Sequence, residues 1–198
     1  MTFYNKVKWV LGILMIFILI IATNLIDKNN FVRVKDSVVA IYEDRLIAND
    51  LIFEMSISIR EKEVALANSD STFFLDRNKK ISKDIQDCVL RFEQTKLTIE
   101  EGNLFKDFKK NLELLTNYEN TFIQSQFVNK TPLFKKISEV QKNLYDLSKI
   151  QLREGKRQMS ISEKAISSVE LFTQIEIYIL IFLAILIQII VIYKPKED

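Results

Sequence analysis

The sequence predicts an all-α fold, an antiparallel four-helix bundle between two transmembrane helices, with the first and fourth bundle helices continuous with the spans. Three observations support this fold class. The 198 residues include only three Gly and two Pro, too few for the turns of a β-sandwich or barrel. The longest apolar runs lie at the two ends of the chain. Between them, apolar residues recur at alternating spacings of three and four, which is typical of amphipathic helices.

The composition excludes several kinds of site. The chain has no His, so mixed Cys/His zinc sites and Ser-His or Cys-His catalytic pairs are excluded. Cys88 is the single cysteine, which rules out an intrachain disulfide. The 28 Lys and Arg against 26 Asp and Glu give a net charge of +2, with no sign of nucleic-acid binding. We therefore expect no enzymatic activity, no cofactor, no metal site and no nucleic-acid partner.

The first apolar run predicts a transmembrane helix over residues 7–26. Trp9–Ala22 is uninterrupted by polar residues. About 20 residues are what a helix needs to cross the hydrocarbon core of a bilayer. A cleaved signal peptide is the alternative, but Ile20-Ile21-Ala22 lacks the small residue of an A-x-A cleavage site. The run is therefore predicted to be an uncleaved anchor.

The second apolar run predicts a transmembrane helix over residues 175–193. Ile177–Tyr193 is broken only by Gln188, and Glu176 falls at the interface, where its carboxylate reaches water. A buried core helix is the alternative interpretation. Ile and Leu on all faces of the run argue against it.

Basic residues near the chain ends predict the orientation in the membrane. Lys6 and Lys8 accompany the start of the first span, and Lys194 and Lys196 follow the second. Because such residues favour the cytoplasmic side, residues 1–6 and 194–198 are predicted to be a cytoplasmic N-terminus and a cytoplasmic tail. Three basic residues just beyond the first span weaken the rule there, namely Lys28, Arg33 and Lys35.

Three clusters of turn and capping residues divide the domain between the spans, residues 27–174. Gly102 can adopt a positive φ and Pro132 suits the first turn of a helix. The clusters are Asn68–Ser71, Glu101–Asn103 and Asn129–Pro132. They predict four helices, over about 28–68, 72–100, 104–129 and 132–174.

The first of these helices carries the longest heptad pattern. Eleven positions follow alternating spacings of three and four, and nine of them are apolar. We predict that this stripe faces the core: Phe31, Val34, Val38, Ile41, Arg45, Ala48, Ile52, Met55, Ile59, Lys62 and Leu66. A second stripe widens the apolar face beyond a two-stranded seam: Val39, Tyr42, Leu46 and Phe53.

The stretch Ile41-Tyr42-Glu43-Asp44-Arg45-Leu46 resembles the Tyr-x-Asp-Arg motif in the four-helix-bundle sensor domain of methyl-accepting chemotaxis receptors. It lies a few turns after the first span, as in that family, and the likeness extends by architecture over about residues 1–193. The resemblance implies chemotaxis signal transduction by a periplasmic bundle in the bacterial inner membrane. It also implies a parallel homodimer, small ligands bound among the helices, and displacement of the fourth helix on binding.

The sequence departs from that family after the second span. Family members continue into a HAMP linker and a methylated coiled coil that controls a histidine kinase, whereas five residues follow here, including the helix-breaking Pro195. We therefore expect neither kinase control nor methylation from this chain. Its expected partners are membrane lipid, a second copy of the chain, and a full-length receptor or kinase that supplies the output.

Arg45 is the first candidate site residue, because it interrupts an apolar stripe. Asp44, Glu100 and Glu101 are its candidate partners. One interpretation is a structural ion pair that fixes the register of the helices, and the other is a ligand or switch contact.

The resemblance implies a second candidate site, a ligand pocket in the membrane-distal half of the bundle. A small organic anion is the expected ligand, and the alternative is a solvated charged face. Its predicted residues are Arg60, Lys62, Arg77 and Tyr145.

The sequence allows two interpretations of each of three further features. Gly155 in the fourth helix marks either a close packing contact or a flexible point. Cys88 is expected to pack as a small apolar residue, with an intermolecular disulfide as the alternative. The function itself has two interpretations, a ligand-binding sensor or a non-sensing protein that tethers an envelope assembly.

Overall fold

The computed structural model describes residues 3–192, with side chains described for residues 11–185. Within these residues every regular element is a helix, which confirms the predicted all-α class. The predicted tail, residues 194–198, lies outside the described residues, as does the beginning of the predicted N-terminal segment.

Residues 3–192 form five α-helices and two π-helical turns. The α-helices are α1 (Phe3–Ala40), α2 (Ile47–Ala67), α3 (Asn78–Glu93), α4 (Ile99–Gln124) and α5 (Thr131–Ile192). The π-helical turns are Ile41–Leu46 and Phe73–Arg77. Ala40 and Ile47, which flank the first turn, both have right-handed helical dihedrals, so α1 and α2 follow one another without a break.

The helices divide between two compact units. The first, here called the terminal unit, comprises the chain up to Val38 and from Met159 onward, and contains parts of α1 and α5. The second, the bundle unit, is Val39–Gln158 and contains α2, α3, α4 and the remainder of α5.

The terminal unit contains both candidate membrane spans. Its two helices are long and apolar enough to cross a membrane, and none of their most apolar stretch is buried within the protein. The residues buried between them are small or polar: Asn30 and Ser37 on α1, and Ser162 and Ala165 on α5. Exposed apolar surface of this kind fits a lipid environment.

The bundle unit has one continuous apolar core to which all four helices contribute. Phe92 of α3 packs against Phe105 of α4 with ring centroids 4.7 Å apart, and Phe105 stacks on Phe108 at 5.9 Å. The largest fully buried apolar side chains are Leu51, Met55, Ile59, Leu66, Ile85, Phe92, Phe108, Leu115, Leu133, Ile137 and Leu144.

The predicted turn at Gly102 is wrong. α3 ends at Glu93 and α4 begins at Ile99, so the connection is residues 94–98 and Gly102 lies in the first turns of α4. Thr98 is the N-cap of α4: its hydroxyl accepts from the backbone N–H of Glu101, while the Glu101 carboxylate accepts from the N–H of Thr98. This capping box, rather than a glycine, determines where α4 begins.

The core-facing stripe predicted for the first helix is correct in α2 and wrong in α1. Ala48, Ile52, Met55, Ile59, Lys62 and Leu66 are buried, as predicted. Upstream of the π-helical turn, however, Phe31 is 69% exposed and Val38 is 55% exposed. Their neighbours Asn30 and Ser37 are buried instead, so the stripe in α1 is offset by one residue.

Gly155 does not mark a close packing contact. It lies inside α5, and a Cβ placed on it would meet no atom within 4 Å.

Replacing Gly102 by Ala should raise the free energy of unfolding by about 0.5–1 kcal/mol, because an interior helical glycine lacks the helix propensity of alanine. A Cβ at this position would have open space around it. Thermal unfolding of the full chain in detergent measures the change. Gly102→Pro should destabilise the chain, because the Gly102 N–H donates to the Thr98 carbonyl at 2.9 Å. A destabilising Gly102→Ala would instead indicate the turn that the structure lacks.

Candidate functional site

Arg45 lies in the π-helical turn Ile41–Leu46 and is the buried residue of that turn. One guanidinium nitrogen, Nη1, donates to Glu101 Oε1 at 2.6 Å and to Gln151 Oε1 at 3.0 Å. The other, Nη2, donates to the backbone carbonyl of Lys96 at 3.0 Å. A single side chain therefore connects helix α4, helix α5 and the loop before α4. We call these contacts the Arg45 centre.

Glu101 is the anion of this centre and is 0% exposed. Its two carboxylate oxygens have separate partners, because Oε1 accepts from Arg45 and Oε2 accepts from the N–H of Thr98 at 2.6 Å. The same carboxylate thus caps α4 and neutralises a buried guanidinium. A buried ion pair with this many hydrogen bonds fixes the relative register of the helices that carry it.

The other two predicted partners of Arg45 lie at the edge of the centre. Asp44 Oδ1 accepts from the backbone N–H of Lys96 at 3.2 Å, so Asp44 and Arg45 both bind the same loop residue. Glu100 instead forms an exposed ion pair with Arg153 of α5. Of the three predicted carboxylates, the structure brings Glu101 to the guanidinium.

Two buried donors of the Arg45 centre have no hydrogen-bond partner among the described residues. They are Arg45 Nε and Gln151 Nε2. Buried donors without partners destabilise a packed core, so the centre does not have a fully satisfied hydrogen-bond network.

A second buried ion pair lies in the bundle unit, between Lys62 of α2 and Glu119 of α4. The Lys62 ammonium donates to Glu119 Oε1 at 2.7 Å, to Glu119 Oε2 at 3.0 Å and to Ser82 Oγ at 2.8 Å. Asn78 Nδ2 donates to Glu119 Oε2 at 2.9 Å, and both charged side chains are almost fully buried. Burial lowers the pKa of Lys62, and the charge and hydrogen bond of Glu119 oppose that shift.

The sequence pattern gave no partner for Lys62, yet it contains a usable signal. Glu119 lies between the buried Leu115 and Phe122 at spacings of four and three. It therefore interrupts the apolar stripe of α4 in the same way that Arg45 and Lys62 interrupt the stripe of the first helix.

A groove of about 590 Å³ runs between α2 and α5 on the surface of the bundle unit. Its apolar wall includes Phe53 and Leu144, and its polar wall includes Arg60, Glu63 and Tyr145. Gln141 Nε2 donates to Glu63 Oε2 at 2.7 Å across the groove. The groove has the size and mixed lining that small-molecule sites have.

The structure divides the four predicted ligand residues among three places. Arg60 and Tyr145 line the groove. Lys62 lies in the core with Glu119, and Arg77, 66% exposed, forms a surface ion pair with Glu61 at 2.7 Å. The predicted four-residue anion site is therefore not assembled, and two of its members remain as groove residues.

Cys88 is buried on α3, and its thiol donates to Glu54 Oε2 at 3.2 Å. Burial and the adjacent Glu54 carboxylate raise the pKa of Cys88 to about 11. Within residues 11–185, no group of three or more Cys, Asp or Glu side chains is placed to hold a metal ion.

At pH 8, alkylation of Cys88 in the folded chain should be roughly 100-fold slower than that of an ordinary exposed cysteine, because the thiolate is the reactive form. Maleimide labelling followed by mass spectrometry measures both rates. Ser138→Cys in a Cys88→Ala background provides the exposed reference, since residue 138 is exposed on α5. Equal rates for the two thiols would contradict the burial of Cys88.

The fold and these sites define a helical module in which buried ion pairs fix the helices and two helices are able to span a membrane. The family model for the four helix bundle sensory module for signal transduction matches residues 4–166, and the chain belongs to that family. This match confirms the family membership that the resemblance of the motif Tyr42–Arg45 predicted. Comparison with curated proteins and with solved structures gives no match.

Proposed function

We propose that this chain is a membrane-anchored periplasmic sensor for chemotaxis-type signalling, which binds a small ligand in the α2–α5 groove and relays binding through α5 and the second span. Membership of a sensory family for signal transduction supports the general role. The groove is the observation that carries the ligand-binding part.

The lining of the groove favours a small organic ligand that carries a carboxylate. Arg60 supplies a guanidinium, which binds carboxylates through paired hydrogen bonds. The exposed ring of Tyr145 and the side chain of Phe53 offer apolar contact next to it. Ser148 and Asn49, joined by a 3.0 Å hydrogen bond, add further polar partners.

The contacts of α5 support its role as the moving helix. Both buried ion pairs end on α4: Arg45 of the first π-helical turn pairs with Glu101, and Lys62 of α2 pairs with Glu119. Apart from those of Lys136, which donates to Asn111, and of Arg153, the hydrogen bonds of α5 into the bundle use neutral side chains such as Gln141 and Gln151. Among the described residues its one ion pair to another helix is the exposed Arg153–Glu100 pair. Displacing α5 therefore separates no buried pair of charges.

We further propose a parallel homodimer with both termini in the cytoplasm. An exposed apolar stripe on the first π-helical turn and α2 is a suitable seam, with its members seven, four and seven residues apart: Leu46, Phe53, Ile57 and Val64. Because Phe53 and Ile57 also line the groove, the second copy would border the proposed ligand site. Such spacing is the pattern by which helices of two chains pair. The output then passes to a partner protein in the same membrane.

A thermal-shift screen of the full chain in detergent tests ligand binding, with amino acids, organic acids and amines as probes. A binder present at about 100 times its Kd should stabilise the chain by about 2.7 kcal/mol. The shift should disappear in Arg60→Ala and persist in the matched control Arg77→Ala, whose side chain lies outside the groove.

The same screen distinguishes the second candidate function. A protein that only tethers an envelope assembly should show no shift with any probe, and Arg60→Ala should leave its cellular role intact. A shift that survives Arg60→Ala would contradict the α2–α5 groove as the binding site.

A further inference from the structure

We propose that the π-helical turn Ile41–Leu46 is a register switch, held in its observed state by the Arg45 centre, through which a movement of α5 alters the register of α1. The proposal rests on the signalling function proposed above and extends the signal route to the first span. The switch has two states, in which the turn is either π-helical, as observed, or α-helical.

The two states correspond to two registers for α1, of which one is observed. If the helix before α2 were α-helical throughout, the spacing of three and four in the buried stripe of α2 would place Val38 and Phe31 on the buried face of α1. The structure instead buries Ser37 and Asn30, one residue earlier in each case. A π-helical turn holds about one residue more than an α-helical turn, so the first π turn accounts for this offset. Its conversion to α-helix would move Val38 into the place of Ser37.

The α-helical register would bury more apolar surface in α1. In the observed register Phe31 and Val38 are 69% and 55% exposed, while the buried positions beside them are polar. The hydrophobic effect in α1 thus favours the state that is not observed. The observed state therefore requires contacts elsewhere that hold the π turn in place.

The Arg45 centre supplies these contacts. Asp44 and Arg45 are consecutive residues of the turn, yet both bind the backbone of Lys96, one at its N–H and the other at its carbonyl. The rotation between successive side chains about the helix axis is about 80° in a π turn and about 100° in an α turn. Two consecutive side chains can therefore reach the same residue more easily from a π turn, which fits the shared contact with Lys96.

Gln151 connects the switch to α5. It accepts from Arg45 Nη1 at 3.0 Å, and it is the contact between the guanidinium and the helix proposed to move. If α5 shifts, Arg45 loses that acceptor while its Nε already lacks a partner. The loss weakens the hold on the turn and favours conversion.

Disulfide cross-linking within the terminal unit reports the register of α1. Ser37 and Ser162 are both buried there, and the groove that joins Val34 with Ile166 places them level with each other. In full-length chains in membranes with Cys88→Ala, the pair Ser37→Cys/Ser162→Cys should cross-link several-fold faster than Val38→Cys/Ser162→Cys. With Arg45→Met and Glu101→Gln added, the preference should reverse.

Deleting the exposed Glu43 provides the decisive control, because it removes the extra residue of the turn and fixes α1 in the observed register without a π turn. In that background Arg45→Met/Glu101→Gln should leave the Ser37 preference intact. Two results overturn the proposal. One is that Arg45→Met/Glu101→Gln leaves the cross-linking preference for Ser37→Cys unchanged in the chain that has the π turn, and the other is that it reverses this preference in the Glu43 deletion.

Circular dichroism checks that each variant remains helical. If the double variant unfolds, Gln151→Met removes only the contact to α5, and an unchanged preference there overturns the proposal as well. No ligand enters these experiments, so their failure leaves ligand binding in the groove untouched. Failure of the ligand screen likewise leaves the register result standing.

Discussion

Replacing Lys62 by Met should lower the free energy of unfolding by about 3–5 kcal/mol, because it leaves the Glu119 carboxylate buried without its cation. Glu119 is almost fully buried, and Lys62 contacts both of its oxygens. Asn78 Nδ2 would remain its hydrogen-bond donor but cannot neutralise the charge. Thermal unfolding of the full chain in detergent measures the effect, as a Tm lower by roughly 6–20 °C.

Two further variants separate the buried charge from other effects of the substitution. Lys79→Met removes an exposed lysine on α3 and should change stability by less than about 0.5 kcal/mol. Lys62→Met/Glu119→Gln removes both charges and keeps an acceptor for Asn78, so it should recover most of the loss. If Lys62→Met were as stable as the parent chain, the Lys62–Glu119 pair would not be buried in the folded protein.

The periodicity of apolar residues predicted the helices because apolar residues recur at the positions where one face of a helix is buried. The apolar stripe of α2 from Ala48 to Leu66 is buried as the spacing of three and four requires. The two apolar runs at the chain ends gave the candidate spans directly, since length and composition decide them.

The connection before α4 was misplaced because its residues contain neither Gly nor Pro. Residues 94–98 read Gln-Thr-Lys-Leu-Thr, and Gly102 was the nearest residue with ordinary turn chemistry. The correct signal was Thr98-x-x-Glu101, a capping box that begins a helix whatever precedes it. This helix-start signal lies only four residues before Gly102.

The π-helical turn at Ile41–Leu46 could not be predicted from the heptad pattern. Ile41 and Arg45 are four residues apart, which fits an ordinary α-helix. The contacts that fix the turn come from residues 50 or more positions away, at Lys96, Glu101 and Gln151. The candidate site residues were predictable to the same extent. A charged residue in an apolar stripe, such as Arg45 or Lys62, indicates a buried charge, but the local pattern does not identify the distant residue that pairs with it.

Replacing Glu101 by Ala should also lower the free energy of unfolding by about 3–5 kcal/mol, since the Arg45 guanidinium would remain buried without an anion. The substitution additionally removes the acceptor for the Thr98 N–H and so weakens the start of α4. Glu101→Gln separates these contributions, because its amide oxygen can still accept from Thr98 while the charge is lost. Its stability should lie between those of the parent chain and Glu101→Ala.

Glu100→Ala is the matched control, one residue away on the same helix. The Glu100 carboxylate is 60% exposed and pairs with the exposed Arg153, so its loss should change stability by less than about 1 kcal/mol. Equal losses at the two positions would contradict the burial of the Arg45–Glu101 pair. The expected difference would establish that the Arg45 centre depends on one particular carboxylate, because these two adjacent glutamates differ in burial and in the groups that they bind.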